Sequence, residues 1–377
     1  MPPQRKPNIL IVDDEPDLQR ARRQELELGA FVEVKHPSEV RLSDLKKADL
    51  VLVDYVIERW PERAQLAELA TKPQDGLALA AILRSHLSNS PKPPSQPAFA
   101  LYSAKLEELA GAPREHSIAR ANNLEWAFPK SQGHREAPLG DQILSLANAV
   151  RRLPSEWSYS DENPDRAWRT AKKLLALRPK TSWESQAVED IEGCFPPIFR
   201  LSQGTHGREF LRWFLQRILP YPCFLWDITY LSARIRVSRD SLDEALKRSR
   251  KLSALVGRYA YKGILCDFLG QRWWRAGVEN FLWTLTRGNS GDRRRVLGGL
   301  NEISGAVLEE IEETQPVVCV DEDYRLLDHV VDISGAVRIQ PEEWPPFADQ
   351  AWTSIQLAKE HPSLRAIVLN QDRARLT

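Results

Sequence analysis

Residues 8–15 indicate the fold of the N-terminal part of this chain, and their sequence is Asn8-Ile9-Leu10-Ile11-Val12-Asp13-Asp14-Glu15. Its apolar residues run directly into three carboxylates. A short, uninterrupted apolar run is typical of a strand that is buried on both faces of a parallel sheet. Because ligands of open α/β sheets bind outside the carboxyl ends of the strands, the carboxylates are expected at a binding edge.

The same pattern recurs at Asp49-Leu50-Val51-Leu52-Val53-Asp54, a second apolar run that ends in an acid. Two such strands side by side would place Asp13, Asp14 and Asp54 around one pocket. Carboxylate oxygens are the ligands that hard divalent cations prefer. The two stretches therefore predict a cation site at the carboxyl edge of a parallel sheet.

The order of the remaining patterns supports the same fold. Further strands are expected at 31–34, 98–103 and 124–128, and helical patterns lie between the strands at 8–12, 31–34 and 49–54. Leu139, Ile143, Leu146 and Val150 then recur at helical spacing, which predicts a helix over 139–152. Strands that alternate with helices predict a doubly wound α/β domain with a parallel sheet.

Residues 1 to about 153 resemble the receiver domain of two-component response regulators. Asp13 and Asp14 match the acidic pair that holds magnesium in that family, and Asp54 matches its phospho-accepting aspartate. The other matches, in the family's order, are Asp75-Gly76 before the third helix, Ser103 after the fourth strand and Lys130 after the fifth. The resemblance implies a flavodoxin-like fold with the strand order 2-1-3-4-5.

The resemblance also implies a chemistry. A histidine kinase or a phosphotransfer protein would pass a phosphoryl group to Asp54, with Mg²⁺ held by Asp13, Asp14 and Asp54. Lys130 would pair with one phosphoryl oxygen, and Ser103 would hydrogen-bond another. Catalysis in such a site is positioning and charge neutralisation.

The sequence departs from the family in three places. Residues 55–74 form a long insertion after Asp54, and residues 88–95 form a second, turn-rich expansion. Pro129 precedes Lys130, whereas the family has its proline after the lysine, so Trp126 and Phe128 are both candidates for the family's aromatic switch residue. These departures keep open an alternative, a degenerate receiver that acts as a docking scaffold.

The length of 377 residues suits two or three domains. We expect a receiver over 1–153, a polar, proline-containing linker over 154–164, and a mainly helical output domain over 165–377. A position near 316 is a candidate for a further boundary within that domain. Two short strands are expected beyond that point, at 317–320 and 336–339. The family resemblance does not extend to this part.

The composition limits the partners. The chain has 52 Lys and Arg residues and 52 Asp and Glu residues, so its formal net charge is zero. The net charge therefore does not indicate binding to nucleic acid or to a membrane surface. Four cysteines without a paired CxxC spacing argue against a disulfide framework or a zinc site. Neither a transmembrane run nor a signal peptide is recognisable. We therefore expect a cytoplasmic protein.

Residues 230–251 resemble a helix-turn-helix, in which Ser238 would cap the second helix. Arg236 stands where glycine is usual in the turn, and Asp240, Asp243 and Glu244 would repel DNA. Two packed helices with a solvated charged face are the favoured interpretation. The DNA-contacting candidates are Arg239, Lys247, Arg248 and Arg250.

Three hypotheses therefore concern the output half: it binds a protein partner, it binds DNA, or it is a catalytic effector. The first is favoured, because no catalytic constellation stands out and the net charge is zero. We expect no enzymatic activity beyond the receiver's own phosphorylation. A homodimer is a candidate assembly.

Overall fold

The computed structural model describes residues 5–60, 73–89, 96–106, 109, 114–130, 136–154, 157, 164–199 and 207–376. The chain divides into two compact units. The first unit comprises Met1–Leu177, Pro197–Pro220 and Gly263–Gly270, and the second comprises Arg178–Pro196, Tyr221–Lys262 and Gln271–Thr377.

A five-stranded parallel sheet forms the centre of the first unit, with the order β2-β1-β3-β4-β5. The predicted doubly wound α/β fold and strand order are confirmed. The strands are β1 (Asn8–Val12), β2 (Phe31–Lys35), β3 (Leu50–Val53), β4 (Ala98–Ser103) and β5 (Trp126–Pro129). The described helices of this part are α1 (Arg20–Glu27), α2 (Leu42–Lys47), α3 (Gly76–Ser88), α4 (Glu115–Ala121) and α5 (Leu139–Arg152).

The apolar runs explain why this sheet forms. All residues of β3 and β4 are buried, because helices cover both faces of a parallel sheet. The helix predicted over 139–152 begins and ends at those residues and buries its four spaced apolar side chains. The central sheet therefore fixes where each strand's carboxyl end lies.

Later parts of the chain also belong to the first unit. They contain α6 (Pro164–Leu174) and, after a part of the second unit, α8 (Arg208–Trp213) and a π-helix (Phe214–Ile218). Arg208 and Arg212 both donate hydrogen bonds to Oε1 of Glu125, at 2.7 and 2.8 Å, and Glu125 is fully buried. Burial acts to raise the pKa of Glu125, but the charges of the two arginines hold that pKa below its usual value.

The segment 263–270 is the third part of the first unit. The ring of Phe268 lies 4.9 Å from that of Trp126 and 6.1 Å from that of Phe128, and its carbonyl accepts a hydrogen bond from Gln142. Both aromatic residues of β5 are therefore covered by a residue far along the chain.

The first unit extends well past the predicted boundary at residue 153. Trp157, inside the predicted linker, is fully buried and its ring lies 5.4 Å from that of Phe210. This division differs from the predicted one because long-range apolar and ionic contacts, invisible in local composition, tie the later segments to the sheet.

The second unit is mainly helical up to residue 304. Its helices there are α7 (Ser182–Gly193), α9 (Ile228–Ile235), α10 (Arg239–Arg248), α11 (Arg250–Val256), α12 (Arg275–Leu285) and α13 (Arg293–Ser304), with β6 (Leu225–Trp226) and β7 (Trp273–Trp274) as a two-stranded ladder. Beyond them lie β8 (Pro316–Val320), β9 (Leu326–Asp332), β10 (Ala336–Ile339), β11 (Ala351–Ser354), α14 (Ile355–Glu360) and α15 (Pro362–Ala366). The strands predicted at 317–320 and 336–339 are confirmed.

Among the residues that the structure describes, no helix is long and apolar enough to cross a membrane.

We predict that Arg208→Ala combined with Arg212→Ala lowers the free energy of unfolding by about 3–5 kcal/mol, because Glu125 is left buried without its partners. Since the pKa of Glu125 is held low, its stabilising contribution is present at neutral pH and is lost as the pH falls through that lowered pKa. Urea denaturation at neutral pH measures the loss.

The matched control is Lys247→Ala combined with Arg248→Ala, because these side chains are 72% and 78% exposed and their ion pairs contribute little. Adding Glu125→Gln to the arginine variant should restore part of the lost stability. A loss in the arginine variant no larger than in the control would contradict the role given to Glu125.

Candidate functional site

The predicted site residues meet at the carboxyl edge of the sheet. Asp13 and Asp14 follow β1, Asp54 follows β3, Ser103 ends β4, and Lys130 follows β5. One carboxylate oxygen from each of the three aspartates lies within 4.8 Å of the others, and all three residues are buried. Such a group of hard oxygen donors is able to hold a divalent cation.

Lys130 bridges two of these carboxylates. Its Nζ donates to Oδ2 of Asp13 at 2.9 Å and to Oδ2 of Asp54 at 2.7 Å. Burial acts to lower the pKa of Lys130, but its hydrogen bonds and charge interactions with the two aspartates raise that pKa above its usual value. Lys130 therefore stays protonated and brings a positive charge into the pocket.

The Asp54 carboxyl group has a raised pKa. Burial raises its pKa from 3.8 to about 6, and the negative charge of Asp13 adds to the rise. Lys130 and a hydrogen bond from the backbone of Val56 act in the opposite direction. Asp54 is consequently ionised at neutral pH, yet is close to the range in which it gains a proton.

Asp13 is held by a residue that sequence reasoning missed. Nε2 of the buried Gln19 donates to Oδ2 of Asp13 at 2.8 Å, and the backbone N–H of Glu15 donates to Oδ1 at 2.8 Å. Gln19 lies in the 3₁₀ turn that precedes α1. Its side chain fixes the orientation of the Asp13 carboxylate.

The start of the predicted insertion 55–74 lies against Asp14. The backbone N–H groups of Glu58 and Arg59 donate to Oδ2 of Asp14 at 2.7 and 2.5 Å. The guanidinium of Arg59 pairs with Glu15 at 2.7 Å, and the carbonyl of Arg59 contacts Nε2 of His36 at 3.2 Å. The start of the insertion therefore lies against the acidic edge, and residues 61–72 of the insertion lie outside the described residues.

Gly76 is required by the shape of the site. A Cβ atom at this position would lie 1.8 Å from the backbone oxygen of Asp54. Asp75 caps the start of α3, because its side chain accepts a hydrogen bond from the backbone N–H of Ala78. The pair Asp75-Gly76 therefore lets the helix begin directly against the strand that carries Asp54.

Ser103 is fully buried, and its hydroxyl accepts a hydrogen bond from the backbone N–H of Lys105 at 3.1 Å. The backbone N–H of Lys130 donates to the carbonyl of Ser103 at 2.9 Å. The ring beside Lys130 belongs to Tyr102, whose centroid is 5.3 Å from Nζ. Sequence reasoning considered Trp126 and Phe128 but not Tyr102.

The resemblance to a helix-turn-helix in the second unit extends to the backbone. Arg236 adopts the left-handed conformation with φ 62°, and the side chain of Ser238 caps α10 as predicted. Lys247 and Arg248, two of the four candidate DNA contacts, form ion pairs with Asp243 and Glu244 of the same helix.

In helix-turn-helix motifs, the N-terminal residues of the second helix contact the DNA bases. Here an acidic residue, Glu309, lies against that end of α10. Glu309 contacts Ser238 through both its carbonyl and its carboxylate, and its backbone N–H donates to Ser241. These contacts favour the interpretation of two packed helices with a solvated charged face.

No protein-family model matches the sequence. No curated protein matches it significantly. Similar solved structures include the RcsB response regulator of Salmonella typhimurium, with a TM-score of 0.26 and 16% identity over 50% of this chain and 78% of that one. A structure of two RcsB dimers bound to two parallel DNAs has a TM-score of 0.27 and 15% identity over 55% and 93% of the chains.

RcsB from Salmonella enterica serovar Typhimurium bound to promoter P1flhDC, with the phosphomimetic BeF₃⁻, has a TM-score of 0.25 and 16% identity, over 56% and 92% of the chains. Scores and identities this low establish no relationship.

We predict that Lys130→Met raises the pKa of Asp54 above about 6, because the ammonium group lowers that pKa both by its hydrogen bond and by its charge. In the unmodified protein, the pKa of Asp54 is already raised, so ionised Asp54 destabilises the folded state. The stability that Asp54 contributes below its unfolded-state pKa of 3.8 is lost as the pH rises through about 6.

Carboxyl ¹³C NMR of the metal-free protein measures this pKa directly. Lys47→Met, which removes an exposed lysine of α2, is the control and should leave Asp54 unchanged. An Asp54 that titrates identically in both variants would contradict the bridging role of Lys130.

Proposed function

We propose that this chain is a response regulator, in which Asp54 accepts a phosphoryl group from a phosphohistidine of a kinase or phosphotransfer protein. The proposal is supported above all by Lys130, whose Nζ bridges Asp13 and Asp54 beside a third carboxylate at the carboxyl edge of the sheet. A group of this kind suits phosphoryl transfer, which requires positioning and neutralisation of charge.

The proposed transfer forms a bond from an oxygen of Asp54 to phosphorus and breaks the phosphorus–nitrogen bond of the donor. The electron pair of the broken bond stays on the imidazole nitrogen, which takes up a proton. Mg²⁺, when held by Asp13, Asp14 and Asp54, supplies positive charge to the phosphoryl oxygens. Lys130 adds a second positive charge, and Gln19 keeps Asp13 oriented.

The start of the insertion is bonded to Asp14, one of the three clustered carboxylates. Glu58 and Arg59 already satisfy one oxygen of Asp14, so a cation at this site uses the other oxygen or displaces them. The ion pair of Arg59 with Glu15 is largely exposed and contributes little to holding this segment in place, whereas the two backbone hydrogen bonds to the Asp14 carboxylate hold it more strongly.

For the output, we propose that phosphorylation acts on contacts within the chain and, through them, on a protein partner of the second unit. Phe268 covers Trp126 and Phe128 two to four residues before Lys130. The segment 263–270 continues in both directions into the second unit.

The test is titration of the full chain with beryllofluoride and Mg²⁺, followed by tryptophan fluorescence. We predict a saturable, Mg²⁺-dependent change that is lost in Asp54→Asn, because beryllofluoride mimics a phosphoryl group on that carboxylate. Asp17→Asn, an exposed aspartate near the same edge, should respond as the unmodified protein does.

Because the chain has twelve tryptophans, Trp126→Phe identifies the origin of the signal. A reduced change in this variant would support a signal that passes along β5 towards Phe268. A change that persists in Asp54→Asn would contradict the assignment of the acceptor. The complete lack of a change would favour a receiver fold used as a docking scaffold.

A further inference from the structure

Tyr102 contacts the site from within the sheet. It precedes Ser103 in β4 and is 3% exposed. Its ring centroid lies 5.3 Å from Nζ of Lys130, and its hydroxyl accepts a hydrogen bond from Nε of Arg22 at 3.2 Å. The ring is therefore anchored at one end by α1 and faces the ammonium group with its π system.

We propose that Tyr102 is a positioning residue, which holds the Lys130 ammonium at the point where it bridges Asp13 and Asp54. This inference rests on the proposed phosphoryl-accepting function of Asp54. Lysine has a flexible four-carbon side chain and a strongly hydrated charge, so two carboxylates alone leave its position loosely defined. A third contact, to an aromatic face, restricts it further.

The geometry makes the three contacts mutually supportive. Nζ of Lys130 reaches the Tyr102 ring while it donates to both carboxylates, at 2.9 Å to Asp13 and 2.7 Å to Asp54. The lysine side chain is 21% exposed, so it is partly desolvated, and attraction between a cation and a ring is stronger there than in water. Loss of the ring is therefore expected to weaken the bridge.

Arg22 limits the movement of the ring. It is itself partly buried and ion-paired with Glu25 of the same helix, so the hydrogen bond to the Tyr102 hydroxyl has a fixed origin. Removal of the hydroxyl leaves the ring in place but frees its edge. We expect Tyr102→Phe to retain most of the effect, and Tyr102→Leu to lose it.

A buried ring also fills space, so the test must separate positioning from packing. In the full chain with Mg²⁺, we predict that Tyr102→Leu weakens the apparent affinity for beryllofluoride roughly 3- to 10-fold, the range expected for a partly desolvated cation–π contact. Tyr102→Phe should change it less than 2-fold. Phe99→Leu, which removes a buried ring from the other end of β4, is the matched control and should leave the affinity unchanged.

The decisive comparison is a double-mutant cycle with Lys130→Met. If Tyr102 acts through Lys130, Tyr102→Leu has no further effect on affinity in the Lys130→Met background. If Tyr102→Leu costs the same factor in both backgrounds, the role is packing and the proposal is overturned. An unchanged affinity in Tyr102→Leu alone overturns it as well.

A second variant, Arg22→Ala, tests the same role if Tyr102→Leu does not fold. Arg22→Ala removes the anchor of the ring at a half-buried position, and we expect a smaller loss of affinity in the same direction. If the unmodified protein does not bind beryllofluoride at all, the proposed function fails, and the positioning role is then decided by crystal structures of the unmodified protein and Tyr102→Leu. Displacement of the Lys130 ammonium from Asp13 and Asp54 in the variant is expected, and an ammonium that stays on both carboxylates would overturn the positioning role.

Discussion

One ammonium group shared by two carboxylates is the interaction on which the site depends. Asp13, Asp14 and Asp54 place three negative charges within 4.8 Å of one another, in a buried pocket where their repulsion is poorly screened. Lys130 offsets this repulsion through its bonds to Asp13 and Asp54, and its own position follows from the order of the strands. The parallel sheet, with its carboxyl ends at one edge, is what assembles acids and lysine from distant parts of the sequence.

The first unit is built from three separate stretches of chain, and this affects how a change at the site is transmitted. Glu125 secures the start of β5 to α8 through two arginines, while Phe268 covers the aromatic residues of β5. The strand that leads to Lys130 is thus held by residues that belong to later parts of the chain. We expect a change at Lys130 to reach those parts through direct contacts along β5.

The sheet and its acidic edge were predictable because their signals are local: an apolar run followed by an acid identifies a strand and its carboxyl end together. Gln19 and Tyr102 were missed because nothing in their immediate neighbours shows that they touch Asp13 and Lys130. The extent of the first unit was missed for the same reason, since Arg208 lies 83 residues after the glutamate that it pairs with. Such pairs are set by tertiary packing, which a single sequence does not display.

If Asp54 is the phosphoryl acceptor, chemical mapping should find the modification on that residue. The full chain is incubated with acetyl phosphate, with or without Mg²⁺, and reduced with borohydride, which converts an aspartyl phosphate to homoserine. Tandem mass spectrometry then locates the product. We predict homoserine at position 54 alone, and only when Mg²⁺ is present. Homoserine at another position, or none while Asp54 stays intact, would contradict it.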